Sequence, residues 1–128
     1  MNSAKTILLA EHDAFLINVY ASELRKSGYK TSVVSDEKIV LNRAKTIKPD
    51  LMILDASLQK SDGVPLLKSL RNDILLKDLK VVMLHNTNLP SGPVGHAEKF
   101  FRFGVEKHFS KAENTAEEIV NEVKRILS

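Results

Sequence analysis

Acidic, imidazole and lysine side chains follow four short apolar runs of this sequence. They are Glu11, His12 and Asp13 after the first run, Asp55 and His85 after two later ones, and Ser110 with Lys111 after the last. A carboxylate such as Asp55 can attack phosphorus when cationic groups offset the charge that develops on the transferring oxygens. Lys111 and a metal ion held by acidic residues would supply that charge. The residue types therefore favour phosphoryl transfer to a carboxylate, provided that the fold brings these run ends together.

The elements that must position these side chains alternate between strands and helices, a pattern typical of parallel βαβ units. The predicted strands are 6–10, 30–34, 51–54, 81–84 and 105–109. The first predicted helix is 14–27, and the second is capped by Ser35 or Asp36 and ends before Pro49. The third is opened by Gly63 and Pro65. A short helix at 96–103 and a last helix at 116–127, which follows a Thr115/Glu118 capping box, complete the set. In an open parallel sheet, ligands bind beyond the carboxyl ends of the strands, where these reactive side chains lie.

Length and composition are those of a globular domain. With 128 residues, 43% hydrophobic and 27% charged, the chain fits one domain, residues 1–128, with its own core. It contains no cysteine, which excludes disulfides and thiolate metal sites. The apolar run 7–10 is too short for a signal peptide or a membrane span, so we expect a cytoplasmic protein. The nineteen basic residues behind the net charge of +3 are interleaved with sixteen acidic residues along the chain, which disfavours nucleic acid as a partner.

The segment around Asp55 carries a family resemblance. Pro49-Asp50-Leu51-Met52-Ile53-Leu54-Asp55, followed by Asp62-Gly63 and Leu66-Leu67, resembles the phosphoacceptor segment of response-regulator receiver domains. The acidic cluster after the first strand, a polar residue about thirty positions beyond Asp55, and Lys111 extend the resemblance over essentially the whole chain. It implies an α/β fold of the flavodoxin-like (βα)5 receiver type, with a doubly wound five-stranded parallel sheet in the order 2-1-3-4-5.

The resemblance also implies a role for each residue of the site. Asp55 would accept a phosphoryl group from a histidine kinase or a phosphotransfer protein, and Lys111 would pair with the phosphoryl oxygens. Glu11, Asp55 and the backbone carbonyl of Ser57 would hold Mg²⁺. Output would pass to a downstream protein through residues 96–109 and the last helix, without membrane contact. Any catalysis would be limited to self-phosphorylation and slow autodephosphorylation at Asp55.

Four positions depart from the family pattern. His12 stands where a second acidic metal ligand is usual, and Ala112 replaces the proline that usually follows the lysine. His85 stands in place of the hydroxyl residue that bonds the phosphoryl group, and His108 in place of the aromatic switch residue. Losing a carboxylate about 4 Å from a metal removes about 4 kcal/mol per unit charge at an effective dielectric near 20. His12 should therefore weaken Mg²⁺ binding, and an imidazole suits a transition metal better.

Three functions are compatible with these residues. The first is a stand-alone receiver in a phosphorelay, and the second is a degenerate receiver that binds proteins without being phosphorylated. The third, a flavin-binding enzyme, is disfavoured because the Glu11-His12-Asp13 loop would repel a phosphate. We further expect His12 and His85 to approach Asp55, residues 86–95 to form a mobile loop, and at least one of Phe100, Phe101 and Phe103 to lie on the surface.

Overall fold

A single five-stranded parallel sheet forms the centre of the computed structural model, which describes residues 4–58, 64–86 and 103–128. Its strands are β1 (Thr6–Ala10), β2 (Lys30–Val34), β3 (Leu51–Asp55), β4 (Lys80–His85) and β5 (Lys107–Ser110). They lie in the order β2-β1-β3-β4-β5, and every neighbouring pair is parallel. The predicted α/β fold and strand order are confirmed.

Four helices pack against this sheet within the described residues, and a 3₁₀ turn at Ala56–Leu58 follows β3. They are α1 (Ala14–Lys26), α2 (Glu37–Ile47), α3 (Val64–Asn72) and α4 (Ala116–Leu127). The predicted capping box of α4 is present, because the Thr115 and Glu118 side chains accept from each other's backbone N–H groups. Asp36 caps α2, and Gly28 beyond α1 has φ +92°, a conformation that glycine adopts without strain.

The core consists of two apolar layers, one on each face of the sheet. On one face, Leu8, Met52 and Met83 pack with residues of α2 and α3. On the other face, Leu9, Ile53 and Leu84 pack with residues of α1 and α4. Successive side chains of a strand point to opposite faces, so a central strand covered on both sides is apolar throughout. This is why β3 is buried along its whole length and ends on a buried carboxylate.

Some predicted boundaries are shifted and others cannot be compared. Strand β5 begins at Lys107 instead of Val105, because Gly104, at φ +71°, turns the chain before it enters the sheet. The predicted helix 96–103 and loop 86–95 lie outside the described residues except at their ends, as do Phe100 and Phe101. Phe103 is partly buried against the α2 and α3 layer. In the part of the chain that is described, no helix is long and apolar enough to cross a membrane.

Arg71 at the end of α3 ties two loops together. Its guanidinium donates to the carbonyl oxygens of Phe103 at 2.6 Å, Leu79 at 2.6 Å, Lys77 at 3.1 Å and Gly104 at 3.4 Å. These bonds join the segment before β4 to the segment before β5. One charged side chain therefore replaces the strand and helix partners that these loop carbonyls lack.

Replacing Arg71 with Met should lower the free energy of unfolding by about 2 to 3 kcal/mol, because several carbonyls lose a charged donor at once. Urea denaturation followed by circular dichroism would measure the loss. Lys68→Met is the matched control, since Lys68 is an exposed residue of the same helix and its replacement removes the same charge. Equal stability of the two variants would contradict the role assigned to Arg71.

Candidate functional site

The ends of three strands bring Glu11, Asp55 and Lys111 together. Ala10 pairs with Leu54 in the register of β1 and β3, so Glu11 and Asp55 leave neighbouring strands at the same level. Lys111 directly follows β5, and its backbone N–H donates to the His85 carbonyl at 2.7 Å. Its Nζ lies 2.9 Å from both carboxylate oxygens of Glu11 and 3.1 Å from Asp55 Oδ1. Residues one hundred positions apart in the sequence thus form one ionic cluster.

This cluster is withdrawn from water. Glu11 and Asp55 are both 0% exposed, and they are the two buried charged residues of the described chain. The Lys111 side chain is 7% exposed. Burying charges is costly unless they are paired, so the lysine ammonium stabilises two carboxylates that would otherwise repel each other.

The two carboxyl groups have pKa values that are shifted in opposite directions. Burial raises the pKa of Glu11, and the hydrogen bond from Lys111 only partly offsets it. Burial also disfavours ionisation of Asp55, but hydrogen bonds with Glu11 and Ser57 and the charge of Lys111 outweigh it, so the pKa of Asp55 is lowered. Asp55 is therefore the more acidic member of the pair and carries the negative charge that a nucleophile needs.

Ser57 holds one oxygen of Asp55 in place. Its backbone N–H donates to Asp55 Oδ1 at 2.9 Å, and its hydroxyl donates to the same oxygen at 2.7 Å. Asp55 Oδ2 and Glu11 Oε2 are buried and accept no hydrogen bond within the described residues. These two oxygens face cationic or nitrogen groups instead, and they are the atoms that a bound cation would satisfy. Metal binding by the Ser57 carbonyl stays a prediction.

His12 completes a possible metal-binding group. Its Nε2 lies 3.2 Å from Asp55 Oδ2 and 3.2 Å from Ser57 Oγ, and its side chain is 51% exposed. One ligand atom from each of Glu11, His12 and Asp55 lies within 4.8 Å of the others. Asp13, next in the chain, caps α1 by accepting from the Leu16 N–H at 3.0 Å.

The two histidines expected to approach Asp55 have different contacts. His12 lies beside Asp55, and His85 contacts His108. His85 Nε2 lies 3.1 Å from His108 Nδ1, and the two rings stack with centroids 5.3 Å apart. Burial lowers the pKa of His108.

The strand register explains this pairing. The residue of β4 that pairs with Asp55 is Leu84, so His85, one residue later, projects from the opposite face of the sheet. His108 pairs with Met83 and therefore shares the face of His85. A contact between His85 and a phosphoryl group on Asp55 stays a prediction.

A comparison with protein-family models decides the family. The model of the response regulator receiver domain matches residues 7–124. The chain belongs to this family. The receiver is 36% identical over 72 residues to the alkaline phosphatase synthesis transcriptional regulatory protein PhoP of Bacillus subtilis, a match covering 56% of this chain and 30% of PhoP. The receiver thus matches about a third of the length of the curated relatives, which include DNA-binding response regulators.

Solved structures share the receiver fold over nearly the whole chain. A response regulator of Chloroflexus aurantiacus superimposes with a TM-score of 0.81 at 26% identity, covering 98% of both chains. The receiver domain of the sensor histidine kinase PA1611 of Pseudomonas aeruginosa, with a magnesium ion in its active site cleft, gives 0.77 at 20% identity, covering 96% of this chain and 97% of that one. At that identity the second likeness concerns the fold alone.

Sequence reasoning missed two features of the receiver site. It did not foresee the bond from the Ser57 hydroxyl to Asp55, although a serine two residues beyond a carboxylate often folds back onto it. It also did not pair His85 with His108. The sequence contained a signal for this pairing, because His108 and Ser110 are alternate residues at the end of the fifth strand and therefore share one face of it. That strand neighbours the one that ends in His85.

Proposed function

We propose that this receiver accepts a phosphoryl group on Asp55 from a phosphohistidine of a histidine kinase or a phosphotransfer protein. The observation that carries the proposal is the fully buried Asp55 carboxyl group with Lys111 Nζ 3.1 Å from its Oδ1. In the proposed step an Asp55 oxygen forms a bond to phosphorus, the phosphorus–nitrogen bond of the donor breaks, and the donor imidazole leaves with the electron pair. An acyl phosphate on Asp55 is the product.

Lys111 is proposed to offset the charge of the transferring group. A phosphoryl group in transfer spreads negative charge over its oxygens, and a preorganised ammonium in a dry pocket stabilises that charge strongly. Ser57 already donates twice to Asp55 Oδ1, so Oδ2 is the oxygen without a hydrogen bond that can bond to phosphorus or to a cation. The arrangement positions the nucleophile before any donor binds.

Mg²⁺ is the cofactor that the proposal implies. Glu11 and Asp55 would hold it through their buried oxygens, with the Ser57 carbonyl as the third protein ligand, and the ion would neutralise charge on the transferring oxygens. Support comes from the ligand atoms of Glu11, His12 and Asp55, which lie within 4.8 Å of one another, and from the magnesium ion in the receiver of PA1611. His12 supplies nitrogen where an oxygen ligand suits Mg²⁺ better, so we expect weakened Mg²⁺ binding.

The proposed output is contact with a downstream protein through residues 96–109 and α4. The receiver domain is proposed to occupy residues 1–128 and to work in the cytoplasm. Within this face, the described residues include Phe103 and the exposed Lys107. The chemistry of the protein would be limited to self-phosphorylation at Asp55 and slow loss of the phosphoryl group.

A degenerate receiver that works without phosphorylation is the second candidate. The His85–His108 pair favours it, because the two positions that would carry a phosphorylation signal are already joined by a hydrogen bond and a ring stack. In that case, the pocket would hold the domain in one conformation that a partner protein recognises. The first candidate accounts for the buried ionic cluster, which a purely structural domain does not require.

Intact-protein mass spectrometry after incubation with acetyl phosphate and Mg²⁺ tests the proposal. We expect the mass of one phosphoryl group to be added to the wild type and to be absent from Asp55→Ala. Asp50→Ala is the matched control, because Asp50 directly precedes the other end of β3 and is exposed. A wild type that stays unmodified with this donor and with phosphoramidate would favour the degenerate receiver.

A further inference from the structure

We propose that His12 changes the metal selectivity of the pocket, so that it binds Ni²⁺ or Zn²⁺ through Glu11, His12 and Asp55 in strong preference to Mg²⁺. The inference rests on the proposed function only because both concern the same pocket. Binding of a transition metal does not require a phosphoryl group, and it can be measured on the resting protein.

The geometry provides three donors around one point. Ligand atoms of Glu11, His12 and Asp55 lie within 4.8 Å of one another, and His12 Nε2 is already 3.2 Å from Asp55 Oδ2. Ligands that each lie about 2.1 Å from a shared ion are about 3 to 4.2 Å apart, so a small rotation of the half-exposed His12 ring brings the set within range.

The carboxylate members of this set present buried oxygens to nitrogen groups. Glu11 Oε2 lies 2.9 Å from Lys111 Nζ, Asp55 Oδ2 lies 3.2 Å from His12 Nε2, and both acidic residues are 0% exposed. A cation bound between these oxygens would add to the positive charge that Lys111 provides for two buried carboxylates. Of the described side chains around the site, that of His12 is 51% exposed and that of Lys111 is 7% exposed, so the imidazole is accessible to an ion from solvent.

The donor types set the preference. Mg²⁺ is bound almost entirely through oxygen and keeps several waters, whereas imidazole is a good ligand for Ni²⁺, Cu²⁺ and Zn²⁺. A pocket with two carboxylates and one imidazole also carries one negative charge fewer than a pocket with a third acid at position 12. Having histidine instead of an acid at position 12 lowers the affinity for Mg²⁺. The imidazole nitrogen of His12 favours Ni²⁺ and Zn²⁺ over Mg²⁺.

Isothermal titration calorimetry on the chain without an affinity tag tests the inference, with Mg²⁺, Ni²⁺ and Zn²⁺ titrated separately. Relative to the wild type, His12→Ala should bind Ni²⁺ and Zn²⁺ at least about 10-fold more weakly and Mg²⁺ within about 3-fold. His12→Asp should bind Mg²⁺ at least about 10-fold more tightly and Ni²⁺ more weakly. The matched control is His85→Asn, which removes an imidazole outside the proposed ligand set and should leave the Ni²⁺ affinity unchanged.

The His12 ring itself gives a second readout. Paramagnetic Ni²⁺ should broaden the imidazole carbon-bound proton signals of His12 in NMR spectra at concentrations that leave those of His85 and His108 sharp. Unchanged Ni²⁺ affinity in His12→Ala, or loss of Ni²⁺ binding in His85→Asn, would overturn the inference.

Phosphorylation of Asp55 measured on the same samples separates the two proposals. A protein that is phosphorylated with Mg²⁺ but whose Ni²⁺ affinity does not depend on His12 contradicts the metal selectivity alone. A protein that binds Ni²⁺ through His12 but is never phosphorylated supports the metal selectivity and contradicts the phosphoacceptor function.

Discussion

Replacing Lys111 with Met is expected to slow the phosphorylation of Asp55 about 100-fold, because the transferring oxygens lose a preorganised positive charge in a buried site. The same change should lower the free energy of unfolding by about 3 kcal/mol at pH 7, since Glu11 and Asp55 would stay buried without their cation. The stability loss should shrink as the pH falls, because protonation removes the unpaired charges. Phosphorylation rates by mass spectrometry and urea denaturation at two pH values would measure both effects.

Lys107→Met is the matched control for Lys111→Met. Lys107 begins the strand that Lys111 directly follows, is exposed, and has no carboxylate ion pair within the described residues. Its replacement should change the unfolding free energy by less than about 0.5 kcal/mol. If Lys111→Met were phosphorylated at the wild-type rate, the lysine would have no part in stabilising the transferring group.

Replacing Glu11 with Gln should have opposite effects on stability and on function. Burial raises the pKa of Glu11, so the folded protein holds this proton more tightly than the unfolded chain does. The contribution of Glu11 to stability is therefore complete below its unfolded pKa, about 4.3, and is lost as the pH rises through the folded value. Gln is never ionised, so the variant should be more stable than the wild type by about 1 to 2 kcal/mol at pH 7, with little gain at pH 4. Urea denaturation at both pH values would measure this difference.

The functional effect of Glu11→Gln should be a loss. The amide removes an anionic metal ligand and a partner of Lys111, so Mg²⁺-dependent phosphorylation should fall at least about 10-fold. Glu117→Gln on the exposed face of α4 is the matched control and should change neither property. Asp55 depends on pH in the opposite way. Its pKa is lowered in the folded protein, so Asp55 stabilises the fold at pH values above its unfolded pKa, about 3.9. This contribution is lost as the pH falls through the folded pKa. A destabilised Glu11→Gln at pH 7 would contradict the assignment of the two carboxyl groups.

The elements with strong local signals could be predicted from the sequence. The run Leu51–Asp55 is apolar up to its last residue, and both faces of that strand are buried. Thr115 and Glu118 have the spacing of a capping box, and the box is formed. Ser35 or Asp36 was predicted to cap α2, and Asp36 does so. In each case the information lies within a few residues, so neighbouring positions in the sequence suffice to predict it.

The site was less predictable because its contacts depend on strand register. Each reactive residue could be placed at the end of a strand, and the fold brings Glu11, Asp55 and Lys111 together. Which face a terminal side chain occupies, however, depends on a shift of one residue between neighbouring strands. The sequence analysis did not assign His85 to a face of the sheet, and the register places it on the face of His108.

Chemical mapping of the phosphorylated residue tests the central claim most directly. The protein would be treated with acetyl phosphate and Mg²⁺, and the acyl phosphate reduced with borohydride, which converts a phosphorylated aspartate to homoserine. Tandem mass spectrometry should then find homoserine at position 55 in the wild type and at no position in Asp55→Asn. Homoserine at another position, or the same yield of phosphorylated protein from Asp55→Asn, would contradict the assignment of Asp55 as the phosphoacceptor.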